Sequence, residues 1–223
     1  MAEGEGLPLH LLRLVSQGLP VGGFSYSRGI EAAVQAGWIG DEAGARDWIL
    51  GLLQSSVAPL DGALFWRMMQ ALEAGDRARF LALDAWLAAG RESTEFQRED
   101  RRTGAALLRL LRALDLPGAR GLEEDLSFAA AFAIAAQHWR IPPVAALEGL
   151  LWIGVEGQVT AAIRLVPLGQ TAAQRILIAA AEPIARAARH ASTLSEEEIG
   201  SLAPALAMAS AWHETQYSRL FQS

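Results

Sequence analysis

Apolar residues recur at spacings of three and four along almost the whole of this chain. Ala and Leu dominate them, and no segment sets several β-branched residues in strict alternation. A chain patterned this way buries a stripe of each helix against its neighbours and has no strand face to pair. The expected class is therefore all-α. Leu7 to Ser16 predicts a first helix, stopped by Gly18 and Pro20, and after the loop GLPVGGFSYS a second is expected from about Ser27 to Ala36, with Gly37 ending it. Asp41 is placed to cap a helix running to about Val57, Asp61 to cap another to Ala74, and Asp76 to restart the pattern until Gly90. Glu92 to Asp115 reads as one long helix broken by Leu116-Pro117-Gly118. Helices over Leu122 to Trp139, Val144 to Leu165 and Ala172 to Ala191 follow, the last with Thr171 as its cap. Ser195 with Glu198 fits a capping box, and Ala203 to about Glu214 is the final helical stretch. Short turns and the lack of a Gly/Ser-rich or Pro-rich linker favour a single compact bundle-like domain of roughly ten helices over residues 1–223. Within it, 1–6 are expected to be a flexible N-terminus and 215–223 a C-terminal tail.

Composition narrows the chemistry. With 223 residues, 52% apolar and 20% charged, the chain can bury a substantial core, so disorder is excluded. No uncharged run reaches the ~18 residues that span a bilayer, and MAEGEGLPLH lacks the basic and apolar regions of a signal peptide. A cytoplasmic location away from membranes is the expectation. The absence of Cys removes disulfides, thiolate nucleophiles and Cys-based zinc sites. All 19 basic residues are Arg, so Lys-dependent phosphate loops and Schiff bases are absent, and a net charge of −6 makes a poor nucleic-acid binder.

The remaining candidates for chemistry are few. The glycine-rich loop matches neither phosphate-binding pattern, yet it sets Phe24 and Tyr26 between Ser25 and Ser27. His213-Glu214 begins an HExxH motif whose second ligand is replaced by Tyr217, so no metal site is expected. No catalytic constellation emerges. Arg91 to Arg102 carries eight charges, four of each sign, spaced for Arg91–Glu95 and Glu95–Arg98 pairs on a solvated helix face or for docking a partner. Glu156 and Gln158 interrupt an apolar helix, where they either satisfy one another and nearby backbone or line a wet channel or interface. The tail YSRLFQS sets Tyr217, Leu220 and Phe221 around Arg219. Such a segment either docks into a partner's groove or packs back onto its own bundle.

Three stretches, LPVGGFSYSRGIEAAVQAGW, EGQVTAAIRLVPLGQT and HETQYSRLF, lie in order with the charged RESTEFQREDRRTG segment. Together they resemble the UreF family of urease accessory proteins over about Leu7 to Ser223. Gly157 stands where the family commonly has Asn, and Gln222 where an Arg often precedes the final Ser. The resemblance implies an all-helical, non-catalytic homodimer that bridges UreD (also called UreH) and the GTPase UreG on the way to nickel insertion into the urease apoprotein. It implies a tail ordered by UreD and a dimer face that carries UreG. Nickel and GTP then belong to the wider complex, with no cofactor or metal held by this chain. The partner-binding residues it suggests are Phe24, Tyr26, Ser27, Glu31, Gln158, Arg164, Gln170, His213, Glu214, Tyr217, Arg219, Leu220 and Phe221. The rivals are a generic helical adaptor unrelated to urease, a hydrolase with a triad assembled in space, and a direct regulator of UreG's GTPase acting through Arg219 or Gln158.

Overall fold

A computed structural model describes residues 8–122 and 125–223; the expected flexible N-terminus, 1–6, lies outside the described residues. The class is all-α, as the periodicity predicts. In chain order the helices are α1 (Leu9–Leu14), α2 (Ile30–Gln35), α3 (Glu42–Leu52), α4 (Ala63–Glu73), α5 (Arg77–Ala89), α6 (Thr94–Ala113), α7 (Phe128–His138), α8 (Pro143–Leu165), α9 (Gln170–Thr193) and α10 (Pro204–Thr215). Short 3-10 turns at Gly23–Ser25, Pro117–Ala119 and Glu196–Glu198 punctuate the connections.

Local chemistry starts several of these helices. Asp41 accepts from Gly44 N at 2.8 Å, Asp76 from Arg79 N at 2.9 Å, and Ser127 from Ala130 N at 3.1 Å, each satisfying an amide that the first turn leaves orphaned. Replacing Asp76 by Ala is expected to cost ~1 kcal/mol in urea melts. The Ser195–Glu198 capping box forms as expected, on a 3-10 turn. Thr171 is not a cap: α9 begins one residue earlier and Gly169 occupies the cap position.

Asp61 is not a cap either. α3 and α4 are joined by a π-helical stretch, Leu53–Gly62, into one continuous helix, Glu42–Glu73, and Asp61 is buried inside it. By length and composition this helix is apolar enough to cross a membrane, but 61% of its most apolar stretch is buried within the bundle. The π stretch absorbs Pro59, which lacks an amide hydrogen and so cannot serve the Ser55 carbonyl four residues earlier. That carbonyl instead accepts from Leu202 N at 2.8 Å, and Pro59 O accepts from Gly200 N at 3.2 Å. The segment leading to α10 is thus hung from the central helix.

Around this helix, α7 supplies the centre of the core. Phe128 to Ala136 are all buried, as a helix apolar on every side requires. It packs on α6 and α4, while α8 pairs with α9. α6 and the start of α7 approach so closely that only glycine fits at position 104, where a Cβ would stand 2.1 Å from Leu126 O.

Candidate partner-binding site

The charged block of α6 turns its acids inward. Glu95, Glu99 and Asp100 are buried, and none forms the intrahelical pairs that the spacing offers. Arg91 joins Asp61 (2.7 Å) and Asp100 (2.8 Å) instead. Burial opposes the Arg91 charge, but the two carboxylates outweigh it and raise the guanidinium pKa well above its ordinary value. Arg28 reaches Glu99 at 2.6 Å, and the Glu99 charge raises its pKa against the cost of burial. The backbone arranges this. Arg28 (φ +52°) and Gly29 (φ +83°) are both left-handed, and a Cβ at Gly29 would stand 2.9 Å from Leu206 Cδ1.

These acids hold the tail. Glu31, on the first turn of α2, accepts Leu220 N on one oxygen (2.7 Å) and Phe221 N on the other (2.9 Å). His213, fully buried on α10, lies between carboxylates, with Nδ1 2.6 Å from Glu95 Oε2 and Nε2 3.4 Å from Glu31 Oε2. Arg219 binds Glu95 Oε1 (2.7 Å) and the carbonyls of Gln216 (3.0 Å) and Glu214 (2.9 Å), closing the turn after α10. Ser27 donates its amide (3.0 Å) and hydroxyl (2.5 Å) to Ser223 O, and Ser223 Oγ donates to Glu99 at 2.7 Å. Phe221 is buried, with the Arg164 guanidinium 4.9 Å from its ring centroid. In this chain the tail packs on its own bundle.

The expected site residues therefore separate into groups. Ser27, Glu31, Arg164, His213, Arg219, Leu220 and Phe221 meet at the tail, with Glu214 contributing a backbone carbonyl. Tyr217 is fully exposed and Leu220 is 53% exposed, so the clasp grips the backbone and turns these side chains outward. Phe24 (72% exposed), Tyr26 and Gln158 line a neighbouring cavity, while Gln170 sits exposed at the start of α9. Residue-by-residue reading missed Arg28, Glu95, Glu99 and Ser223. The signal for the acids lay in phase, since Glu95 and Glu99 share a helix face with Phe96, Thr103 and Leu107.

Glu156 also lines the cavity, and burial raises its carboxyl pKa against hydrogen bonds from Trp152 and Gln17. A carboxyl whose folded pKa lies above its unfolded value favours the fold when protonated and loses that contribution as pH rises through the folded pKa. Glu156→Gln should therefore be more stable than the parent at pH 7, with the difference vanishing below about pH 4, where the glutamate is protonated in both states. Urea titrations at the two pH values check it.

Among the described residues, no group of three or more His, Asp or Glu side chains is placed to hold a metal ion. The chain matches the UreF family over residues 39–181. It is 58% identical over 217 residues to urease accessory protein UreF 2 of Brucella anthropi, covering 96% of each chain. It is 46% identical over 215 residues to urease accessory protein UreF of Alkalilimnicola ehrlichii, covering 96% of this chain and 94% of that one. A third relative, urease accessory protein UreF of Hahella chejuensis, is 40% identical over 216 residues, covering 96% and 97%. A family match across most of the chain, joined to this near full-length likeness, establishes that the chain belongs to the UreF family of urease accessory proteins.

Proposed function

We propose that this chain is a non-catalytic homodimeric adaptor that bridges UreD (UreH) and the GTPase UreG during nickel-dependent maturation of the urease apoprotein. It acts in the cytoplasm and needs no cofactor of its own, nickel and GTP being carried by the wider complex. The observation that carries the reading is the clasped tail, whose backbone is fixed by buried carboxylates while Tyr217 and Leu220 are displayed outward. A protein that only needed to tether its tail would gain nothing from two large exposed side chains there. Aromatic residues on a pre-ordered segment make good anchors, because little conformational entropy remains to be lost on binding.

The test is reconstitution with UreD and UreG, followed by urease activation with nickel, GTP and bicarbonate. Tyr217→Ala should leave stability within ~0.5 kcal/mol, because the side chain touches solvent only. It should also weaken the complex with UreD by roughly thirtyfold, the signature of an interface hot spot. Removing residues 217–223 should abolish that complex. Normal complex formation by both variants would falsify the docking role of the tail. In a variant that recruits UreG poorly, raising the UreG concentration should restore activation, since an adaptor loses only occupancy. A deficit that persists at saturation is the mark of a direct catalytic role for Arg219 or Gln158.

A further inference from the structure

Between the end of α1, the loop from Val21 to Tyr26 and α8 lies a cavity of about 160 Å³. Leu14, Val21, Leu150 and Ile153 give it an apolar wall, and α8 leaves room there, since a Cβ at Gly154 or Gly157 would meet nothing within 4 Å. Its charges do not balance. Four acids border it, Asp61, Glu99, Asp100 and Glu156, against two guanidiniums: Arg28 holds Glu99 (2.6 Å), and Arg91 holds both Asp61 (2.7 Å) and Asp100 (2.8 Å). Glu156 has no ion-pair partner among the described residues. Trp152 and Gln17 give it neutral hydrogen bonds only, and burial still raises its carboxyl pKa, as it does for an acid without a counter-charge. Gln17 also donates to Thr160 Oγ1 (2.9 Å), and Gln17, Glu156 and Thr160 all line the cavity, which sets this carboxyl on its wall. Other polar groups there are engaged within the chain: Ser16 Oγ accepts from Gly18 N (3.1 Å), and Thr103 Oγ1 donates to Glu99 O (2.8 Å).

An occupant therefore gains by bringing one positive charge on an apolar body. A metal ion is not such an occupant: it needs several ligands at once, and among the described residues no group of three or more His, Asp or Glu side chains is placed for one. We infer that the cavity receives the side chain of an arginine from a partner protein, its alkyl stem against the apolar wall and its guanidinium on the Glu156 carboxylate. Arginine fits better than lysine, because a guanidinium meets a carboxylate through two parallel hydrogen bonds and stacks on aromatic rings, and Phe24 and Tyr26 share the lining. A partner fits better than a free molecule, because Phe24, 72% exposed, offers a second contact that only a larger body covers in the same act. That the arginine belongs to a partner rests on the bridging reading, whereas cation binding by the isolated chain does not.

The probes are n-propylguanidinium, which is the arginine side chain cut free, and its neutral isostere n-propylurea, each titrated calorimetrically against the isolated full chain. The cation should bind saturably at roughly millimolar concentrations and at least tenfold more tightly than the urea, about 1.4 kcal/mol. Glu156→Gln keeps the shape of the acid and removes its charge, so that preference should shrink to within about twofold. Lowering the pH should weaken cation binding to the parent, as the Glu156 carboxyl takes up a proton, and leave that of the variant unchanged. Gly154→Leu fills the open space on α8 and should abolish binding of both probes. In the reconstituted accessory complex, the cation and Gly154→Leu should each release a partner. The cation site is overturned if propylguanidinium does not bind the parent, if its preference over propylurea survives in Glu156→Gln, or if Gly154→Leu binds it as the parent does. The partner's arginine is overturned if the cation binds the isolated chain but neither it nor Gly154→Leu loosens the complex. A parent chain that assembles with no partner sinks the bridging reading instead, and the titrations still judge the cavity.

Discussion

Gly104→Ala should be among the most damaging single-methyl additions this chain can suffer, with a loss of ~4 kcal/mol or more and a melting temperature lower by roughly 8–16 °C. The added Cβ would lie 2.1 Å from Leu126 O, 2.6 Å from Ser127 C and 2.8 Å from Phe128 N. All three are backbone atoms, so no rotamer change relieves the overlap. Nor can the segment step aside cheaply, because Ser127 N is bonded to Asp84 (3.0 Å) and Phe128 N to Asp100 (3.2 Å). The control is Gly154→Ala, also within a helix but facing open space, which should stabilise by ~0.5–1 kcal/mol. Opposite signs for the same chemical change, measured by thermal and urea melts, isolate the close approach of α6 to α7 as the cause. Equal effects at the two sites would sink the explanation.

The second large effect is expected at Arg91. Its guanidinium holds two buried carboxylates, Asp61 on the central helix and Asp100 on α6. Arg91→Met preserves much of the packing but leaves both acids without a counter-charge, at a cost of ~3–5 kcal/mol. Adding Asp61→Asn and Asp100→Asn should recover most of that loss, because the penalty belongs to the stranded charges and not to the missing side chain. If Arg91→Met alone costs less than ~1 kcal/mol, the triad is not the strut described here.

What the sequence disclosed was local, and what it concealed was pairing at a distance. Asp41, Asp76 and Ser195 were legible as caps because a cap and its amide sit within one turn. Asp61 has the same residue type and a similar setting, yet its role depends on Arg91, thirty residues on, across a turn that periodicity does not orient. The charged block misleads for the same reason: its spacing allows intrahelical pairs, while folding supplies Arg28, His213 and Arg219 from elsewhere and turns Arg91 to Asp61 and Asp100. His213, half of a metal motif in sequence, is a buried bridge between Glu31 and Glu95. Gln158 interrupts an apolar helix in the sequence, and in the fold it is a buried amide whose oxygen lacks a partner among the described residues.

The π-helical stretch governs when the tail can be assembled. Pro59 can offer Ser55 O no i+4 amide, and Leu202 N donates to it, so two positions 147 residues apart in sequence meet. On a ribosome, the central helix emerges long before residue 202 does, so this contact with the central helix forms late. Only when the last tenth of the chain is released can Gly200 and Leu202 lock on and bring α10, His213 and the tail to Glu31 and Glu95. The surface that displays Tyr217 and Leu220 is therefore finished last, and a chain truncated or still in synthesis has no means of presenting it.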